Sequence, residues 1–285
     1  MNNKATGRSR VGVIFGPVDD LNVVAAGYLI LHLNTLQHAI EFELVPSPPD
    51  NLLWPLLSRK VVSRSEVEAA GIEFRDQYHE YWQRLLARSI ASETPPSYLI
   101  VVSLARFADN LYSTTLHDVN VAILALGNWE RYMAPPSLVE FITFLVFRLA
   151  IGLIDPRMRK WQHLGTKGCL WDYNPRLSEV RYKVLVGYTC DDCLENIRAG
   201  PLTSLAENLG EIMSKGWLWK KDDPQAPAAI AAKLGYDLFS TKGPRPNWRE
   251  SLLDVVRQEG VKELLKWVSA LILAAVLVWL NLKKP

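Results

Sequence analysis

All three cysteines of this 285-residue chain, Cys169, Cys190 and Cys193, lie within 25 residues of one another, with His163 just upstream. The pattern His-x5-Cys-x20-Cys-x2-Cys constrains the fold strongly. A tetrahedral Zn2+ site asks for four soft or borderline donors, often with one pair two residues apart. The turn Cys190-Asp191-Asp192-Cys193 lets two sulfurs converge on one ion, and Gly165 and Gly168 allow the His163 to Cys169 loop to bend tightly. Four protein donors leave no coordination position for water, so one Zn2+ per chain is expected to staple the fold. Two other readings of the same residues stand beside it. One is a redox Cys-x2-Cys pair; the other has no metal, with Cys169 a small buried apolar side chain and His163 an ordinary histidine.

Composition narrows the classes further. Hydrophobic residues make up 49% and charged residues 22%, a globular balance that argues against disorder and against many membrane spans. Lys plus Arg is 32 against 30 for Asp plus Glu, so the basic excess that a nucleic-acid footprint needs is missing, and no direct nucleic-acid binding is expected. The odd, sparse cysteine count and a start, Met1-Asn2-Asn3-Lys4-Ala5, without a secretion pattern point to a reducing compartment.

Periodicity predicts a strand over 10–15, a helix over 21–36 and a half-exposed strand over 39–46, an opening β-α-β unit. The turn Gly16-Pro17-Val18-Asp19-Asp20 has one glycine and two carboxylates, which disfavours a phosphate loop. Asp19 and Asp20 read as a helix cap, with a ligand site at the strand end as the alternative. A long helix follows over 65–89, capped by Ser63 or Ser65 ahead of Glu66 and Glu68. The runs 98–104 and 119–126 are buried strands, and 138–154, opened by Pro135-Pro136-Ser137, is a helix apolar on nearly every face. Shorter helical signals over 205–213, an aromatic knot Trp217-Leu218-Trp219 and a cap at Asn247 complete the pass. The fold class is α/β, a mixed α+β layered domain with a structural zinc site, followed by an α-rich region and one C-terminal transmembrane helix. The units are 1–200, with the zinc segment at 163–193, then 201–263 and 264–282.

The order strand, buried helix, His/Cys loop, helix, Cys-x2-Cys resembles the later half of the archaemetzincins. The resemblance covers 98–197 and rests on His163, Cys169, Cys190 and Cys193. It implies a zincin fold with a cysteine-bound structural zinc. Zincin catalysis needs His-Glu-x-x-His, two imidazoles one turn apart with a glutamate to activate water. The helix in that place reads Val139-Glu140-Phe141-Ile142-Thr143, so only Glu140 stands and a pseudo-enzyme is implied. Glu140 reads equally as a helix-start acid favoured by the dipole.

Other motifs are weaker. His79-Glu80-Tyr81-Trp82-Gln83 puts Gln where a second His is needed, and reads as a chance pair in a charged helix. His32, His38 and His117 do not pair at ligand spacing. Trp161, Trp171, Trp217, Trp219 and Trp248 read as packing rather than as a binding cage.

Residues 267–282 carry no charge, roughly 24 Å of helix, or roughly 28 Å when counted from Leu264 with Lys266 reaching outward. Trp267 and Trp279 stand near the ends as interfacial anchors, flanked by Lys266, Lys283 and Lys284. A single-pass membrane protein with its bulk in the cytoplasm is expected. With no ionisable residue inside the span, any effect on a membrane requires an oligomer.

Together these features describe a non-catalytic, zinc-stabilised, tail-anchored binding or effector module. Its partners would be a protein or further copies of itself, and membrane lipid through the C-terminal helix. By analogy of architecture, a membrane effector in prokaryotic antiviral defence or stress fits. The alternative is a membrane-tethered, zinc-dependent, peptidase-like hydrolase with Glu140 or Asp172 as base.

Overall fold

A computed structural model describes residues 8–238, apart from positions 19, 20, 92, 110, 219, 220 and 237. The elements run β1 (Ser9–Phe15), α1 (Val23–Leu36), β2 (Ile40–Leu44), α2 (Leu53–Leu57), β3 (Val61–Val62), α3 (Arg64–Ala87), β4 (Tyr98–Ser103), β5 (Arg106–Phe107), β6 (Ser113–Leu116) and β7 (Val121–Ala125). Then come α4 (Leu138–Ile154), β8 (His163–Leu164), β9 (Asp172–Tyr173), α5 (Leu177–Val186), α6 (Asp191–Arg198), α7 (Leu205–Ser214) and α8 (Pro227–Lys233).

The main sheet has the order β2-β1-β4-β7-β6. Its first four strands are parallel, as the opening β-α-β unit requires, and β6 joins β7 antiparallel at the edge. Strand residues alternate between two cores. Val11, Val13, Ile100, Val102, Ala122 and Leu124 face α1 and α4. Ile14, Leu99, Val101, Val121, Ile123 and Ala125 face α2 and α3. The strands 98–104 and 119–126 are continuous apolar runs because both faces of the sheet are covered, giving a mixed α/β domain of three layers.

Helix α4 occupies the bounds that its sequence predicts, with Ser137 Oγ accepting from the Glu140 amide at 3.3 Å. Of its residues only Glu140, Arg148 and Gly152 escape burial. Elsewhere the caps differ from expectation. Asn22 caps α1, its side chain accepting from the Ala25 amide, while Asp19 and Asp20 lie outside the described residues. Ser63 precedes α3 without a side-chain cap bond; its hydroxyl meets Ser65 Oγ at 2.8 Å. Glu68 instead turns to Arg64 one helical turn before it and to the Thr114 hydroxyl on β6, so a charged neighbour and a tertiary donor take the place of a capping bond. Helices α7 and α8 pack on α1, where Trp217 stacks on His32 and the Asn22 amide donates to the Leu234 carbonyl at 2.7 Å.

Among the described residues no helix is long and apolar enough to cross a membrane. The segment 264–282, with Lys266, Trp267, Trp279, Lys283 and Lys284, lies outside them, as do Asn247 and Trp248.

The core should respond sharply at Phe147 on α4, fully buried and packed on Phe42 with ring centroids 6.3 Å apart. Phe147→Ala is expected to cost about 3–5 kcal/mol in a denaturant titration, since a cavity opens on every side of the lost ring.

Candidate metal centre

After α4 the chain has little regular structure until α5. His163 stands on β8, whose two residues pair with β9 in the register His163 to Asp172. Gly165 and Gly168, both at positive φ, turn the loop between them. The loop is held from inside by Asp172, whose Oδ2 accepts from the Lys167 and Gly168 amides at 2.7 Å each. Cys169 follows, bridged to Tyr188 beyond α5 by the Leu170 amide. Gly187, left-handed at φ +59°, ends α5 and delivers the chain to Cys190. The Cys-x2-Cys pair sits at a helix start rather than on a free turn. Cys190 is the N-cap of α6 and Cys193 lies in its first turn, so the two sulfurs share one face.

The four side chains come together: His163, Cys169, Cys190 and Cys193 offer donor atoms all within 4.8 Å of one another. Cys169 Sγ lies 3.8 Å from Cys190 Sγ and 3.9 Å from Cys193 Sγ. His163 Nε2 lies 3.0 Å from Cys190 Sγ and 3.2 Å from Cys193 Sγ. A tetrahedral ion with Zn–S bonds of about 2.3 Å has sulfur–sulfur edges of about 3.8 Å. The sulfur spacing is therefore that of a Zn2+ tetrahedron, and the nitrogen needs to retreat by only a few tenths of an ångström. Cys169 and Cys193 are fully buried, whereas Cys190 and His163 are half-buried.

Charge supplies the second argument. The Cys193 contact brings the Cys169 thiol down to about 5. That same contact together with burial pushes Cys193 up, and burial raises Cys190. Three sulfurs this close stabilise one thiolate between them but not three, unless a cation compensates the charge. The donor set fits one zinc ion, and all four of its positions would be filled from the protein.

Both carboxylates considered as a base are at least partly engaged. Glu140, the one acidic residue on α4, is ion-paired with Lys215 Nζ at 2.5 Å at the end of α7. Asp172 is buried and spends Oδ2 as the loop clamp, while its Oδ1 has no hydrogen-bond partner among the described residues. The pair His79 and Gln83 is exposed on α3, with the two side chains 3.5 Å apart. Sequence reading did not single out Lys183, a buried ammonium donating to the Asp172 carbonyl and, at 3.4 Å, to the Tyr112 hydroxyl. A lysine inside α5 carries no sequence signal of burial.

No family model matches the chain, and no curated protein matches it. Among solved structures it is similar to a zinc-dependent peptidase from Methanocorpusculum labreanum strain Z, with 14% identity and a TM-score of 0.38, spanning 64% of this chain and 97% of that one. It is also similar to an archaemetzincin from Methanopyrus kandleri, with 12% identity and a TM-score of 0.39, spanning 71% of this chain and 99% of that one. At this level of likeness nothing of those proteins' chemistry transfers to this chain.

Two outcomes are expected. Cys190→Ser should purify without zinc, where the unaltered chain carries one ion by elemental analysis, and should melt about 10 °C lower or more. Gly187→Ala should lose about 1–3 kcal/mol in chemical denaturation, because a Cβ there would run into the Met213 carbonyl at a left-handed backbone position.

Proposed function

We propose that the chain is a non-catalytic binding or effector module, stapled by one structural zinc and tethered to a membrane by residues 264–282. The carrying observation is the convergence of four protein donors on one point, which leaves no corner of a tetrahedral ion for a water or a substrate oxygen. The Glu140–Lys215 ion pair supports the same reading, since a carboxylate held by an ammonium is poorly placed to take a proton. The tether rests on sequence: an uncharged apolar run bounded by Trp267 and Trp279 and flanked by Lys266, Lys283 and Lys284. Tethering concentrates the soluble part at the bilayer, where a protein partner or further copies of the chain would meet it. A membrane effector of a prokaryotic defence or stress system is the biological setting that this design suits.

The full-length protein tests the reading. It should carry one zinc per chain, lose its fold with a chelator, show no peptide hydrolysis and float with liposomes. A chain ending at Glu263 should not float. A second ion per chain, or hydrolysis that Glu140→Gln abolishes, would establish a tethered hydrolase instead; equal flotation of both chains would remove the tether.

A further inference from the structure

Toward the C-terminal end of α4, the edge strand β6, the start of α3 and the chain around 159–174 line a cleft of about 280 Å³. Tyr112, Ser113, Thr115, Arg148, Arg159 and Gln162 are among its lining residues, and none of the four metal donors is. A smaller hollow of about 40 Å³ continues from it and shares Thr115, Arg148, Arg159 and Gln162.

The charges around this cleft do not cancel. Arg64 is taken up by Glu68 at 2.8 Å and Asp109 at 2.6 Å. Glu68 also accepts from Thr114; Asp172 turns Oδ2 to two backbone amides, its Oδ1 has no hydrogen-bond partner among the described residues, and its charge is faced by Lys183. Arg148 uses its Nε on the Leu170 carbonyl at 3.0 Å, and Arg159 makes no side-chain hydrogen bond among the described residues. Neither guanidinium is ion-paired among the described residues. Burial alone would raise the Tyr112 phenol, yet the Arg148 and Lys183 charges outweigh it and hold it below its ordinary value. An anion inside the cleft would be stabilised in the same way. The terminal nitrogens of Arg148 and the guanidinium of Arg159, without partners among the described residues, are matched to the oxygens of a carboxylate or a phosphate. The volume is several times that of a water molecule, whose share of the liquid is about 30 Å³, and approaches that of ordinary small-ligand pockets.

We propose that this cleft binds a small organic oxyanion, a phosphate ester or a carboxylate, clamped between Arg148 and Arg159 with the Ser113 and Thr115 hydroxyls as further donors. None of the four metal donors lines the cleft, and zinc content is read beside ligand binding in the test, so failure of the site and failure of the staple or tether are separable. In an effector it would be where a soluble signal enters.

The test is thermal melting of the zinc-loaded, full-length chain in detergent, titrated with inorganic phosphate and, separately, with malonate, each against sodium chloride at equal ionic strength. A saturable rise in melting temperature with either probe is expected. Phosphate alone would assign a phosphate ester, malonate alone a carboxylate, and both a general oxyanion site. Arg159→Gln, at an exposed position with no side-chain hydrogen bond among the described residues, should weaken the apparent Kd about tenfold or more while zinc content stays at one. Arg148→Gln should do the same, and if it loses zinc the Arg159 variant decides. No rise beyond chloride with either probe, or an unchanged Kd in Arg159→Gln, overturns the proposal.

Discussion

Helix α4 carries apolar side chains all the way round, and such a helix is stable only when covered on every side. The sheet covers one side through β4 and β7, while α1 and α5 cover others. The helix thereby dictates that the opening β-α-β unit, the edge of the sheet and the loop after residue 155 meet around a single axis. Its two charged interruptions are attached to the later part of the chain. Glu140 is fixed to Lys215 at the end of α7, and Arg148 to the Leu170 carbonyl beside the metal donors. Polar positions on this helix are thus joints to the second half of the domain.

What α4 holds on that side has little fold of its own. Between α4 and α5 the regular structure is one 3-10 turn at Pro156–Arg159 and a two-residue strand pair, too short to be stable by hydrogen bonding alone. Three things substitute for it: the Asp172 clamp on the loop amides, the left-handed turn at Gly187, and the four donors that one zinc ion would draw together. Without a cation the sulfurs compete for a single negative charge. With one, the loop, the end of α5 and the start of α6 become one unit. The staple also bears on the oxyanion cleft, because Asp172, which lines it, and Leu170, whose carbonyl holds Arg148, belong to the same loop as Cys169.

Much of the layered core was legible in the sequence. Unbroken apolar runs at 98–104 and 119–126 marked strands buried on both faces, and the all-round apolar run at 138–154 marked the central helix with its bounds. The metal donors were legible for a different reason: cysteine is rare in this chain, and its clustering is a chemical signal that needs no knowledge of the path between. Gly165 and Gly168 could be read as turn residues, and both take positive φ. Less legible were β6, whose Ser113-Thr114-Thr115-Leu116 is polar because an edge strand has one open side, and the cap of α3, where Glu68 chose Arg64 and Thr114 over a local box.

The sequence by itself determined which segments must be inside, which residue types could bind an ion and where a charge-free run stands at 267–282. Those follow from properties each segment carries alone: hydropathy, period and side-chain chemistry. Only the tertiary structure decided that Glu140 is paired, that Asp172 clamps a loop, that Lys183 is buried, and that Arg148 and Arg159 are left facing a common space. Each of these depends on a partner between 4 and 75 positions away in the chain. A charge's role is set by what lies within a few ångströms of it, and the Coulomb energy that decides pairing is a function of distance in space, which sequence separation does not contain.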